Sequence, residues 1–575
     1  MNKRTGLMLL FIAVTMAGTM HFAAAEPIDQ NIDLLSGWNA VFLEVEPTDT
    51  DPAVVFASLG ADLQSVWAWN ANAGTVEFIQ NPNLLIESGP QMLNYQPGNT
   101  IVTNLHAIHG NQAYLIKMND PITGSTTLTV NGEPKVPHIN WKPNSFNFVG
   151  FHLDAVFPPL FDDFFAPSSA HNGDFITGRS TPEIYVLDNA TSSWVEVTNA
   201  SDAMKKGEGF WIYTHGSSEF NGPASVQLER RDGLHYGDTL TTQDVVFKNN
   251  SQNDLQLISL SLSAGAPANL LYYWKLNTVN NNFEWAAFPP ADRDIPPGES
   301  QRLTLGVKRA GLTSSDLLAA NIDVADGAGT TFKIPLSVKG IDFSGLWVGQ
   351  AVVNKVSQPG LDNPDTPEIE PESMDPLRTG SEFSFRIIVH LDDTGQAKLL
   401  SQVIQMWDEV AKTMVLFTDD ALISNPKYSG ATLRDGKPVG RRISAPAFHD
   451  FKQSLLTPVG AFGQQGVGGV LTTTLGLPVV DPTNPFIHRY HPDHLVPDEN
   501  TPAVRQFNIA RTIKISFSDK DADGNNIVGS RGLGWGSSDM GGIYEETITG
   551  LHKDDLYIKG TFLLHRVSTK GSLEQ

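Results

Sequence analysis

The sequence predicts an all-β protein of several domains: tandem repeated β-domains, an immunoglobulin-like sandwich, and a larger loop-rich C-terminal β-sandwich or barrel-like domain. Three observations carry that expectation. Short runs rich in β-branched and aromatic side chains, ending at Gly, Pro, Asn or Asp, recur along the chain. Helical periodicity is confined to Pro52 to Leu59, Asp202 to Lys206 and Ser314 to Leu318, one or two turns each. The 50 glycines and 36 prolines in 575 residues supply the turns that short strands need, and that length excludes a single core.

Residues 1–25 read as an address. Lys3 and Arg4 precede an apolar run from Leu7 to Ala17, and Ala23-Ala24-Ala25 offers a cleavage site before Glu26. That is the layout of a secretory signal peptide. The run falls short of the roughly 20 residues that span a bilayer. The expected product is exported: secreted, at the cell surface or periplasmic, with no transmembrane segment once the leader is removed. The chain has no cysteine, which excludes disulfides, Cys-zinc sites and thiol nucleophiles.

Residues 26–134 and 135–230 read as two copies of one β-module. Gly37-Trp38-Asn39-Ala40-Val41-Phe42-Leu43 corresponds to Ser145-Phe146-Asn147-Phe148-Val149-Gly150-Phe151. Ser65-Val66-Trp67-Ala68-Trp69-Asn70 corresponds to Ile184-Tyr185-Val186-Leu187-Asp188, with Trp194 following in the second copy. Gln112-Ala113-Tyr114-Leu115-Ile116 corresponds to Glu208-Gly209-Phe210-Trp211-Ile212, and a last strand follows at Leu128 to Val130 and at Val226 to Leu228. The opening Ser36-Gly37-Trp38-Asn39, the central Trp67-Ala68-Trp69 and the closing aromatic strand resemble a module of uncharacterised secreted bacterial multidomain β-proteins. That resemblance covers about residues 30–230. It implies an extracellular β-module without a defined activity.

Residues 231–340 have the strand spacing of a disulfide-free immunoglobulin-like sandwich, with a turn at Ile295 to Ser300 feeding the strand Gln301 to Val307. Residues 341–575 form the C-terminal domain. Its opening Gly345-Leu346-Trp347 and its closing strand from Ile558 to His565 resemble a small closed barrel of the lipocalin sort. The domain is too long for a bare barrel, so long loops are expected at Gln358 to Pro376, rich in proline and acid, and at Asn425 to Lys452.

A formal charge of −24 argues against nucleic-acid and anionic-lipid partners and favours divalent cations. Two constellations could hold one. Asp519, Asp521 and Asp523, followed by Gly524 and Asn525, match the first half of a calcium loop. Ser530 stands where an EF-hand needs glutamate, so further oxygens would come from elsewhere, with Asp539 and Glu545 as candidates. An acidic hairpin tip is the competing reading. His488, His491 and His494, with Asp493 between, offer ligands for zinc or a similar ion, although Pro492 prevents one helical face. Ordinary loop hydrogen bonding competes here too.

Support for nucleophilic catalysis is slight. There is no Gly-x-Ser-x-Gly elbow, and the Gly529 to Gly536 run lacks the ending of a phosphate loop. Trp38, Trp67, Trp69, Trp194 and Trp211 occupy matched repeat positions, where core packing competes with a sugar-stacking role. The expected function is a non-enzymatic binding or structural protein at the bacterial exterior, with calcium as the candidate cation and an extracellular protein or glycan as partner. The alternatives are a metal-dependent hydrolase with its site in the C-terminal domain, and a carbohydrate-binding protein.

Overall fold

The computed structural model describes residues 26–574 except 72–79, 85–90, 121, 123–125, 173–182, 200, 252–255, 264, 268, 310–311, 358–374, 431–432, 449–452, 460–467, 482–483, 488–506, 531 and 553. The expected leader, His488, His491 and His494, and nearly all of the acidic proline-rich stretch lie outside the described residues. The fold is all-β throughout, in tandem sheet domains followed by a closed C-terminal barrel.

In the first module a four-stranded sheet runs in the order Gly37–Leu43, Gln112–Met118, Leu63–Trp69, Met92–Tyr95. A three-stranded sheet (Ile28–Leu34, Thr126–Pro134, Val45–Pro47) covers it. Ile28–Leu34 shows why this segment is a strand. Ile32 and Leu34 point into the core, while Asp29, Asn31 and Asp33 face outward and accept hydrogen bonds from Asn131, Thr129 and Thr127 at 2.7 Å each. The helical signal at Pro52 is realised as one turn, Pro52–Val55. Asp51 caps it by accepting from the Ala53 amide, and a 3-10 segment at Ala57–Asp62 follows.

The other two helical expectations are not met. Ala203 makes an isolated bridge to Leu160, and Leu317 begins the strand Leu317–Ala325. Periodicity over one turn does not separate helix from strand, so tertiary partners decide.

The second module repeats the four-stranded sheet with equivalent strands in equivalent order: Ser145–Val149, Phe210–Thr214, Ile184–Asp188, Ser193–Glu196. Its inner face is covered by the short helix Phe161–Phe165 together with Trp141 and Phe220. The two modules pack sheet against sheet. Trp38, Trp67, Trp69, Trp194 and Trp211 all sit in that shared core, at most 8% exposed, with Trp69 and Trp211 edge to face at 5.8 Å.

Two five-stranded sheets make the next domain. One is ordered Ala224–Leu228, Thr242–Asn249, Ser300–Val307, Leu271–Asn277, Asn282–Ala287. The other runs Leu234–His235, Thr331–Lys339, Leu317–Ala325, Gln256–Leu262, Arg293–Ile295. The last barrel strand, Leu556–Ser568, pairs back onto the first, Gly345–Val356, and this closes the ring. That seam is tight. A side chain at Gly349 would meet the Leu563 carbonyl at 1.8 Å, and one at Gly560 the Val352 carbonyl at 2.0 Å, so glycine is required at both. Period-2 alternation fills the interior with Trp347, Ala351, Ile513, Ile515, Tyr544, Phe562 and Leu564.

Candidate functional site

The first two modules and the sandwich meet around a cleft of about 780 Å³. Strand pairing places its walls. The edge strand Gly37–Leu43 takes a backbone bond from module 2, where the Phe42 amide donates to the Gly207 carbonyl at 2.8 Å. Module 2 is in turn bridged to the sandwich between Leu153 and Thr330. Glu26 ties module 1 to the sandwich, its carboxylate accepting from the Ser263 hydroxyl and its carbonyl from Asn321.

Each module contributes charge to the cleft. Glu44 extends from module 1 and pairs with Lys206 of module 2 at 3.2 Å, and Lys206 also donates to the Leu153 carbonyl. Lys333 of the sandwich pairs with Asp323, and its charge reaches Glu44 as well. Burial raises the Glu44 carboxyl above its ordinary value, and the charges of Lys206 and Lys333 oppose that shift. Burial raises Glu208 likewise, with Lys205 opposing it. Beside them the His152 Nε2–H donates to the Asn111 side-chain oxygen at 2.7 Å, and the ring meets Phe42 edge on. Burial holds this imidazole down to about 3, so it is neutral at ordinary pH. The arrangement is one of matched charges and fixed hydrogen bonds around a space with both polar and apolar walls, suited to holding a ligand.

The predicted calcium loop folds as a hairpin tip closed on its own bonds. One Asp521 oxygen accepts from the amides of Asp523 and Asn525, both at 2.9 Å, and the Asp521 amide donates back to the Asn525 carbonyl. Asp523 binds Lys355 at 2.7 Å. The Asp519 carbonyl accepts from the Ile527 amide and the Ser530 hydroxyl. The extra oxygens are engaged elsewhere: Asp539 with His565, Glu545 with Lys514 and Lys559. Among the described residues no three His, Asp or Glu side chains gather as a metal-ligand set. The repeat tryptophans, being buried between modules, offer no platform to a sugar.

Two constellations escaped the sequence reading. Ser168 and His171 lie 2.7 Å apart in module 2, with Thr214 on the other imidazole nitrogen. Burial pushes His171 down to about 3, which makes it a poor general base, and Trp141 packs on its ring at 4.2 Å. The pair therefore orders the turn after Phe165. In the barrel, Arg511 binds both oxygens of Glu546 and the Ala447 carbonyl, while Tyr544 donates to Glu546 at 2.6 Å. Arg511 also lies over Phe448, seating the turn Pro446–Phe448 against the barrel. At the barrel seam, Arg566 of the last strand covers Trp347 of the first, whose indole donates to the Phe343 carbonyl. Arg511 meets Glu546 and Tyr544 only through the pairing of Ile509–Phe517 with Asp539–Thr549, while Ser168 and His171 are neighbours in one turn whose spacing matches no catalytic motif.

No family model matches the sequence, and no curated protein matches it. Among solved structures, a protein of unknown function from Bacteroides ovatus is similar at 9% identity. The match covers 60% of this chain and 93% of that one, with a TM-score of 0.16. No helix among the described residues is long and apolar enough to cross a membrane.

Proposed function

We propose that this chain is an exported, non-catalytic recognition protein whose cleft between the first two modules and the sandwich receives a small polar ligand. The observation that carries the reading is the convergence there of Glu44, Lys206 and Lys333, one from each domain, around about 780 Å³ of space. That volume lies in the usual range for small-molecule sites, and junctions between domains are a common place for them. The barrel supports the reading in a different way. The buried charges of Arg511 and Glu546 are spent on each other and on neighbouring backbone, so they serve packing.

The test is a melting-temperature screen of the chain from Glu26 onward against amino acids, short peptides and oligosaccharides. Ser261, exposed on the cleft wall, is changed to Trp to fill the space. At least one class should raise the melting temperature of the wild type and not of Ser261→Trp. Silence with every class, or an equal response in the variant, would remove the reading. Conversion of a probe to product would replace it with the hydrolase.

A further inference from the structure

The sandwich carries an aromatic face that the repeat tryptophans do not share. Strands Leu271–Asn277 and Asn282–Ala287 form a hairpin at the edge of their sheet, paired Tyr272 to Ala287, Trp274 to Trp285 and Leu276 to Phe283. Leu271 and Tyr273 pack on the sandwich core, so alternation turns Tyr272, Trp274 and Leu276 outward with their partners. The rings of Trp274 and Phe283 lie within 7° of parallel at 5.9 Å, and Trp285 adjoins Trp274 at 4.9 Å. Phe283 is 59% exposed.

We propose that this face is a binding platform for a neutral polysaccharide. Three observations select that occupant. First, the outward face carries no ionised side chain, since the Lys275–Glu284 pair lies on the other side of the ribbon. Charge enters this sheet face from neighbouring segments: Lys308 sits over Tyr272 at 4.3 Å at the inner end, and the Arg302–Asp244 pair lies on the adjoining strands. Strands with no ionised side chain of their own on this face give little to a cationic partner, and a net charge of −24 disfavours nucleic acid and a second copy of the chain. Second, the strip continues an interface already in place. Leu533, from the connection between barrel strands Ile509–Phe517 and Asp539–Thr549, fills the space beside Gly306 and Trp285, and the aromatic face runs outward from there. Third, the face presents the exposed Phe283 ring with the half-buried rings of Trp274 and Trp285 beside it. Their electron-rich faces attract the polarised C–H bonds on one side of a sugar ring, a geometry that aliphatic partners do not need. This inference concerns a different surface from the cleft and stands without it.

The experiment is retention of the chain from Glu26 onward on insoluble cellulose, chitin and xylan, with tryptophan fluorescence against soluble glucomannan. Wild type should be retained by at least one polymer. Trp274→Ala combined with Phe283→Ala should weaken retention at least tenfold, and Phe283→Tyr should preserve it. The melting temperature of Phe283→Ala, altered at an exposed site, should equal that of wild type, separating lost binding from lost fold. Ser261→Trp should be retained like the wild type, which separates this platform from the cleft. Absence of retention on every polymer, or equal retention of the double variant, would overturn the proposal. So would binding to phosphatidylcholine vesicles, or self-association, abolished by the same two substitutions.

Discussion

The two N-terminal modules share one four-stranded sheet yet finish it differently. Module 1 covers its inner face with a second sheet drawn from its own sequence, while module 2 uses the helix Phe161–Phe165 with Trp141 and Phe220. The strand that corresponds to Thr126–Pro134 in module 1 is Ala224–Leu228. It leaves module 2 and becomes the edge strand of the sandwich's first sheet, paired with Thr242–Asn249. The repeat thus encodes a sheet with one face ready for a layer, and the neighbouring sequence supplies the layer. Because both modules offer aromatic outer faces, each also becomes the other's cover.

The strongest way to break that comparison is to attack the shared core. Trp211 is 1% exposed and touches Trp69 of module 1 and Phe148 and Trp194 of its own module. Trp211→Ala is expected to cost about 3–5 kcal/mol. Urea unfolding should move both modules together; a separate, unshifted transition for module 1 would show that the cores are independent.

Acid should loosen module 2 before module 1. Burial holds His152 and His171 down to about 3 against an ordinary value of 6.5, so the unfolded chain takes up these protons first. Their contribution is complete above pH 6.5 and is lost as pH falls toward 3, about a few kcal/mol for each. Glu44 runs the opposite way. Its raised carboxyl favours the folded state when protonated, and that gain fades as pH rises through the folded value. Unfolding free energies measured from pH 7 to 4 should fall, and His152→Gln should flatten the slope.

Gly150 sharpens the same joint on a smaller scale. A Cβ there would stand 2.3 Å from the Phe42 ring, so Gly150→Ala is expected to cost about 1–3 kcal/mol. Adding Phe42→Leu should recover part of it, a coupling that a double-mutant cycle reads directly. The smallest effect is expected far from the repeats. Asp521→Ala removes a cap on two exposed amides, worth about 1 kcal/mol, and the loss should be the same with calcium or EDTA. A calcium-dependent melting temperature would show that the loop's own bonds yield to the cation.

Much of this architecture was legible because a strand announces itself locally. Alternation at Gln301 to Val307, the Trp67-Ala68-Trp69 repeat and the Gly345-Leu346-Trp347 opening each mark a strand without reference to anything distant. The candidate site was not legible. Glu44, Lys206 and Lys333 carry no spacing that links them, and Trp274, Phe283 and Trp285 have the same alternation as core strands. The Asp519 loop showed the reverse, a clear local motif in which the fold engages the Asp521 carboxylate with its own turn and the Asp523 carboxylate with Lys355.

The sequence by itself determined the strands, their repeat and the two unlike faces of each sheet, because side-chain alternation is a property of the local backbone. Only the tertiary structure decided which face meets another module, which carboxylate loses its water and which rings stay in solvent. Those outcomes depend on how distant segments stack, and the free energy of burial belongs to the pair of surfaces brought together.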